Sequence, residues 1–192
     1  MGASVSSAQP RTYGVLSDES RFVVNVGRSG LFKVFGHDHV IRVGSLTGAI
    51  EWDDDEPEAG RFHLEIDATS LSVADDALSD DDRATVQNTM EAEALAVSEH
   101  ATIMFVSWRV ELERAVSGEY RLEVNGELAL RGVRDELSVP LTLTRDGDRL
   151  VARAKFVLDS KKWGVPQISA LGGSVKTKSE LGIELEIVTE LE

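Results

Sequence analysis

The chain of 192 residues contains no cysteine. This absence excludes disulfide bonds, a thiolate nucleophile and zinc sites that use cysteine ligands. Long apolar runs are absent as well, because no stretch approaches the roughly 18 residues of a membrane-spanning helix. Residues 1–20 lack the basic and apolar regions of a secretory signal. We therefore expect a cytoplasmic protein without a membrane span.

Positive charge is scarce in this sequence. The chain has 20 Lys and Arg residues against 34 Asp and Glu residues, which gives a formal net charge of -14 at pH 7. An acidic protein repels phosphate backbones and anionic lipid head groups. Nucleic acid and anionic membrane surfaces are therefore excluded as electrostatic partners.

Catalytic motifs are also missing. Neither a Gly-x-Ser-x-Gly nucleophile turn nor a phosphate-binding glycine loop occurs in the sequence. The many acidic residues fall on strand faces that the pattern predicts to be exposed, where they make poor catalytic pairs. The sequence therefore predicts a protein that is not an enzyme.

What the sequence does contain is regular alternation of apolar and polar residues, in four successive runs over residues 101–158. A period of two over several runs predicts half-buried antiparallel strands. Glycine-containing joints at residues 117–118, 132–133 and 146–147 predict tight hairpins, so each strand should pair with the next. The residues predicted to face inward are Thr102, Met104, Val106, Trp108, Val110 and Leu112, then Tyr120, Leu122, Val124, Leu128 and Leu130, then Leu137, Val139, Leu141 and Leu143, and finally Leu150, Ala152, Ala154, Phe156 and Leu158.

Further strands are predicted around this core meander, over residues 21–27, 31–53, 61–68 and 181–191. A sheet with one apolar face must be covered or closed, and closure into a barrel removes its edges. The predicted fold is therefore all-β: an eight-stranded antiparallel barrel with one short helical excursion. Residues 1–20 are predicted to form a flexible tail, and residues 21–192 a single barrel domain.

Two segments interrupt the strand pattern. Residues 70–100 carry eight acidic side chains and one arginine. Ser79 or Asp80 can cap a helix there, and one or two helical turns are predicted over residues 85–96 with Val86, Met90 and Leu95 on the buried side. Residues 159–179 form a long loop with four lysines and several glycines, and loops of this length are usually functional. If both segments lie over one end of the barrel, their opposite charges could hold them together as a lid. If they lie at opposite ends, which is the arrangement we favour, residues 159–179 gate one end and residues 70–100 cap the other.

Four stretches of the sequence carry a resemblance to a known family. They are Gly36-His37-Asp38-His39 ahead of residues 43–53, residues 101–105, residues 126–133 followed by residues 137–141, and residues 156–165. Together they resemble the YceI-like family of lipid-binding proteins, over about residues 13–190 of the chain. The resemblance implies an extended, lipocalin-like barrel whose apolar interior binds, stores or transports one polyisoprenoid or similar long-chain lipid, with no cofactor required.

Two features depart from the family pattern. The family's Arg-Asp-x-His-Leu element is not visible, and residues 81–85 stand near its place. The family's Arg ahead of the aromatic-Gly pair appears as Lys161 or Lys162, followed by Trp163-Gly164. The mouth of the pocket, and with it the ligand, is therefore expected to differ from other members.

The candidate ligand-binding residues combine the predicted inner faces with this resemblance. A polar pair of histidines is expected near the mouth, and apolar side chains are expected along the interior. The predicted pocket-lining residues are His37, His39, Leu64, Ile66, Met90, Met104, Val106, Trp108, Leu128, Leu141, Phe156 and Trp163.

Two alternative functions stay open at the level of sequence. His37 and His39 share a strand face and could hold zinc with a third ligand, as in a metal-dependent hydrolase. No third ligand can be named from the sequence, so we expect that no metal is needed. The second alternative is a barrel without ligand that serves in stress or protein interaction. Either a monomer or a homodimer is compatible with the sequence.

Overall fold

The computed structural model of the protein describes residues 9–29, 39–170 and 175–192. In these ranges the chain forms twelve β-strands and one α-helix. The strands are β1 (Arg11–Val15), β2 (Arg21–Ser29), β3 (His39–Arg42), β4 (Leu46–Trp52), β5 (Arg61–Asp67), β6 (Ser72–Val73), β7 (Thr102–Val116), β8 (Glu119–Leu130), β9 (Val133–Asp146), β10 (Arg149–Asp159), β11 (Ser169–Ala170) and β12 (Val175–Leu191).

The predicted meander is confirmed, because β7, β8, β9 and β10 pair antiparallel in sequence order. Two of its hairpins turn through consecutive residues with positive φ: Ser117 and Gly118 at 49° and 81°, and Arg131 and Gly132 at 52° and 75°. Positive φ at both central residues matches the twist of the flanking strands, which makes such turns tight. The register of the meander is therefore fixed at its joints as well as by its apolar face.

The barrel closes through β1 and β12. The ring runs β1-β4-β5-β7-β8-β9-β10-β12, and β12 returns to β1 with Tyr13 opposite Leu191. All pairs in the ring are antiparallel. The predicted eight-stranded antiparallel barrel is thus confirmed.

Strand β12 is 17 residues long and has two successive partners on one side. Its C-terminal end pairs with β1, and its preceding part pairs with β2, which is followed outward by β3 and β6. The short β11 also pairs with the start of β12. The sheet therefore extends beyond the closed ring at the end where β12 begins.

One helical segment lies beside this extension. Helix α1 (Asp80–Thr89) runs directly into a π-helical turn over Met90–Ala94, so that 15 residues are helical in all. Ser79 caps the helix, because its hydroxyl oxygen accepts the amide hydrogen of Asp82 at 3.1 Å. In the described part of the chain, no helix is long and apolar enough to cross a membrane.

Three sequence predictions need correction. The predicted tail over residues 1–20 is wrong for Arg11–Val15, which forms β1 and buries Tyr13 completely. Its two alternating apolar residues, Tyr13 and Val15, are too short a signal to recognise as a strand. The helix begins at Asp80 rather than residue 85, since the acidic first turn is held by the Ser79 cap. Residues 31–53 form two strands in their described part rather than one, and residues 31–38 lie outside that part. The change of phase within this stretch predicts a bend at Gly44-Ser45 or Gly48, and β3 and β4 are indeed divided at residues 43–45.

Candidate functional site: the interior cavity

The barrel interior contains a cavity of about 590 Å³. This volume falls within the range of about 300–1,000 Å³ that is typical of ligand pockets. Most strands of the ring contribute apolar side chains to its wall, and β2 and β3 extend the wall beyond the ring. The aromatic and larger aliphatic residues that line it include Phe22, Val24, Ile41, Phe62, Leu64, Ile66, Ile103, Phe105, Leu128, Leu137, Leu141, Phe156, Ile183 and Leu185.

One end of the barrel is sealed by an aromatic and ionic cluster below the cavity. Trp52 and Tyr13 have no exposed surface, and the Trp52 ring meets the Tyr120 ring edge-on at 5.0 Å between centroids. One oxygen of Asp54 accepts hydrogen bonds from Trp52 Nε1 at 2.8 Å and from the Tyr120 hydroxyl at 2.9 Å. The other oxygen of Asp54 lies 2.7 Å from Nε of Arg145, which also donates to the Tyr13 hydroxyl at 2.8 Å.

The sealed end changes the pKa of one of its tyrosines. Burial, together with the hydrogen bond to Asp54, raises the pKa of Tyr120 to about 12. The phenol therefore stays neutral, as a hydrogen-bond donor, to a more alkaline pH than an ordinary tyrosine. The cluster closes this end of the barrel with hydrogen-bonded and ion-paired side chains.

The opposite end, here called the open end, is only partly covered by the two segments that break the strand pattern, because the exposed Thr85 and Pro166 are among the residues that line the cavity there. Val86 and Met90 of the helical segment and Pro166 and Ile168 of the loop border the same cavity. The two segments also meet at the β8–β9 turn, where Nη1 of Arg131 donates to the carbonyl of Gly164 at 3.2 Å and the His100 ring lies against Gly132. The expectation that residues 70–100 cap the far end is therefore wrong, since the aromatic cluster occupies that end.

Most residues that border the cavity are apolar, and most of the polar ones belong to the helical segment, the loop and the start of β12, including the charged Glu93, Lys176 and Lys178. His39 borders the cavity, and its Nδ1 lies 3.4 Å from Oδ2 of the buried Asp75. The other oxygen of Asp75 accepts the amide hydrogen of Ala77 at 3.0 Å. Thr85 and Thr89 of α1 and Ser160 after β10 add hydroxyl groups to the wall. The cavity is therefore apolar along its length, with hydrogen-bonding groups toward its open end.

Seven of the predicted pocket residues border the cavity. They are His39, Leu64, Ile66, Met90, Leu128, Leu141 and Phe156. They come from β3, β5, the π-helical turn after α1, β8, β9 and β10, so residues far apart in the sequence share one wall. Their contact with a ligand stays a prediction.

Three predicted pocket residues, Met104, Val106 and Trp108, lie on the outer face, and their inward prediction is wrong. Val106 and Trp108 are 40% and 49% exposed. The pairing of β7 with β8 shifts between Ser107 and Arg109, which marks a β-bulge. Because a bulge inserts one unpaired residue, the inward phase changes there. Before the bulge the odd residues Ile103 and Phe105 face the cavity, and after it the even residue Val110 is buried.

Trp163 and the histidine pair complete the account of the predicted site. Trp163 is buried, and its Nε1 donates to the carbonyl of Leu128 at 2.7 Å. It packs in a second apolar cluster behind the cavity wall and does not border the cavity itself. His37 lies outside the described residues. Within residues 9–29, 39–170 and 175–192, no group of three histidine or acidic side chains is placed to hold a metal ion. That the protein needs no metal stays a prediction.

Sequence reasoning missed Ile103, Phe105 and Gln87. The odd positions at the start of β7 are as apolar as the even ones, so alternation alone could not choose the face. Gln87 of α1 holds the helical segment to the edge of the sheet: Oε1 accepts the Val73 amide hydrogen at 2.9 Å, and Nε2 donates to the Leu71 carbonyl at 2.7 Å. Its type and position in a polar helix carry no signal of this contact.

A family model for the YceI-like domain matches residues 13–188. No curated protein sequence matches the chain. Among solved structures, BcnA of Burkholderia cenocepacia aligns with a TM-score of 0.69 at 15% identity, over 91% of this chain and 98% of that protein. A polyisoprenoid-binding domain from Saccharophagus degradans, implicated in plant cell wall breakdown, aligns with a TM-score of 0.68 at 14% identity, over 94% and 98%.

A Campylobacter jejuni YceI protein aligns with a TM-score of 0.53 at 12% identity, over 79% of this chain and 84% of that chain. At these identities the structural matches establish the fold and nothing further. The fold they share is the barrel described above, present over almost the whole chain.

Proposed function

The chain belongs to the YceI-like family, and on that premise we propose that its barrel binds, stores or transports one polyisoprenoid or similar long-chain lipid, without catalysis. The observation that carries the proposal is the apolar interior cavity of about 590 Å³. A cavity of this size, lined by Phe, Leu, Ile and Val side chains and open at one end, fits an extended hydrocarbon better than a compact polar metabolite.

The energetics of burial support an extended apolar ligand. Each CH₂ group moved from water into an apolar environment contributes roughly 0.8 kcal/mol. The burial of a chain with many such groups therefore offsets the conformational and translational entropy that the lipid loses on binding. The wall presents almost no competing polar contacts along its length, so affinity would come from chain burial, with orientation set at the open end.

The comparisons support a polyisoprenoid ligand indirectly, through a structural neighbour. One structural neighbour is a polyisoprenoid-binding domain that aligns over nearly the whole barrel. The proposal that the protein is not an enzyme is supported by the apolar wall, in which polar groups are few and stand apart. His39 borders the cavity and is hydrogen-bonded to the buried Asp75 behind it, and its place fits contact with a polar head group.

Native mass spectrometry of the full chain as purified tests the proposal directly. We expect a bound mass that matches an isoprenoid or other long-chain lipid and that is removed by organic extraction. After extraction, the protein should take up a fluorescent long-chain lipid in equimolar amount. A chain that carries no lipid mass and takes up no lipid after extraction would refute the proposed function.

A pair of glutamate variants locates the binding event. Phe156 borders the cavity, whereas Met104 lies on the outer face of β7. Phe156→Glu places a carboxylate against the ligand chain, so lipid affinity should fall by about tenfold or more, while Met104→Glu should leave it nearly unchanged. Lipid titration followed by fluorescence gives the affinities, and circular dichroism checks that both variants are folded. Equal loss in both variants would place the ligand elsewhere.

A further inference from the structure

The cavity ends at a defined level inside the barrel. The lining residues nearest the sealed end include Val124 of β8, Leu141 of β9, Ala152 of β10 and Ile187 of β12. Two positions further along each strand toward the sealed end, the inward residues are Leu122, Leu143, Leu150 and Thr189. These four residues, here called the floor layer, are 1%, 0%, 0% and 0% exposed, so they are packed against one another and leave no room for a ligand.

Ala152 is the smallest side chain at the level just above the floor layer. In the strand register it stands directly opposite Leu143 of β9 on one side and Ile187 of β12 on the other. Both of these neighbours are larger than alanine, and Ala152 borders the cavity, so the small side chain leaves a recess in the wall at this level. Any increase in the size of this side chain raises the bottom of the cavity.

The distribution of polar groups decides which end of a lipid reaches this recess. His39, Thr85, Thr89 and Ser160 all lie toward the open end of the cavity. Near the floor the wall is formed by aliphatic and aromatic side chains, and a polar head group placed there would have no hydrogen-bond partner. A lipid therefore enters with its hydrocarbon end first, and that end comes to rest at Ala152.

We infer that the floor layer and Ala152 set the maximum chain length of the lipid that this barrel accepts. The inference rests on the proposed function and adds to it a specificity-determining position. A chain that just reaches the floor is fully buried. A longer one leaves part of its hydrocarbon in water at the open end, so each additional unit contributes little further binding.

The test uses the full-length, lipid-extracted protein and a series of linear prenols from farnesol to decaprenol, compared in competition by native mass spectrometry. The wild-type protein should show affinity that rises with length and then levels off. Ala152→Leu should move the levelling point to a chain shorter by about one isoprene unit, because the added carbons occupy the recess. Leu143→Ala, which opens the floor layer, should move it in the opposite direction. For the longest chain that wild type buries completely, Ala152→Leu should weaken binding by about tenfold.

Ala129→Leu is the matched control, because Ala129 stands opposite Met104 on the outer side of β8, and its length profile should equal that of wild type. Ala152→Val provides a smaller step if Ala152→Leu does not fold. Folded Ala152 and Leu143 variants that bind prenols with the wild-type levelling point would overturn the inference and leave the proposed function standing. A wild-type protein that binds no prenol or other long-chain lipid would overturn both.

Discussion

At the scale of single residues, the close approach of β7 to β8 depends on a glycine in β8. Gly126 of β8 faces Phe105 so closely that an added Cβ would lie 2.5 Å from Cζ of that ring and 2.5 Å from the carbonyl oxygen of Val106. One of these atoms belongs to the backbone and cannot move aside without disturbing the strand pair. Gly126 therefore lets the Phe105 ring lie across β8, where it forms part of the cavity wall.

We predict that Gly126→Ala lowers the free energy of unfolding by about 1–3 kcal/mol, because the methyl group overpacks this contact. Gly182→Ala on β12 is the matched control, since its added Cβ would meet Asn25 Cβ at an ordinary distance of 3.4 Å. Urea unfolding of both variants measures the difference. Similar stabilities for the two variants would mean that Phe105 can move away without cost, and that the close approach at Gly126 is unimportant.

The same strand shows where sequence reasoning is limited at this scale. The period of two placed Val110 and Leu112 on the correct face of β7, yet it placed Met104, Val106 and Trp108 on the wrong one. A bulge at residues 107–109 leaves no distinct mark in the sequence, because both faces of the first half of β7 are apolar. Only the partner strand, through Gly126 and the Phe105 ring, decides which face turns inward.

At the scale of elements, the helical segment is the least firmly held wall of the cavity. None of its residues is buried, although Val86 and Met90 face the interior. These side chains pack against the edge of the core and also border the cavity. The two bonds of Gln87 to Leu71 and Val73 take the place of a neighbouring strand at the edge of β6. A bound lipid would add to the apolar surface that this helix packs against.

We predict that Gln87→Ala loosens the helical segment and lowers the free energy of unfolding by about 1–3 kcal/mol, since the amide of Val73 loses its acceptor. Hydrogen exchange of the Val73 amide should become faster, and release of a bound fluorescent lipid should accelerate with it. Asn88→Ala, at the exposed neighbouring position, should change neither rate. Unaltered protection of Val73 in the Gln87 variant would show that other contacts hold the helix.

The elements themselves were predictable to different degrees. Ser79 and the acids after it mark a helix start that the sequence contains, although the predicted start was five residues too late. The π-helical turn over Met90–Ala94 was not predictable, because it follows from the way the segment ends at Ala96, whose φ is 50°. The sequence did not predict strand β1, because its partners β4 and β12 are distant in sequence.

At the scale of the whole molecule, the barrel has one sealed end and one open end. In the proposed function, the ligand's hydrocarbon chain lies toward the sealed end and its head group toward the open end. The sequence predicted the meander, since it depends on local alternation and turns, and it predicted an eight-stranded barrel, although the predicted set included β2 in place of the ring strand β1. It did not predict which end is sealed. The cluster of Tyr13, Trp52, Tyr120 and Arg145 joins four strands, and each residue looks unremarkable in its own segment. Closure of a barrel is a long-range property, and so is the depth of its cavity.

The sealed end makes the stability of the whole barrel sensitive to alkaline pH. The pKa of Tyr120 is raised from 10.0 to about 12 in the folded protein. A raised pKa means that the neutral phenol is favoured by folding, so this contribution is fully present below pH 10 and is lost as pH rises toward 12. The shift corresponds to a loss on the order of 2–3 kcal/mol across that window.

We therefore expect the free energy of unfolding of the wild-type protein to fall between pH 10 and 12, and Tyr120→Phe to show a smaller fall over the same range. The phenylalanine ring keeps the edge-on packing on Trp52 and removes the titrating group. Below pH 10 the variant should be less stable, because it loses the hydrogen bond to Asp54, so the two stability curves should converge as pH rises. Urea unfolding at steps of pH gives both curves, and parallel curves would show that Tyr120 does not control the alkaline limit of this barrel.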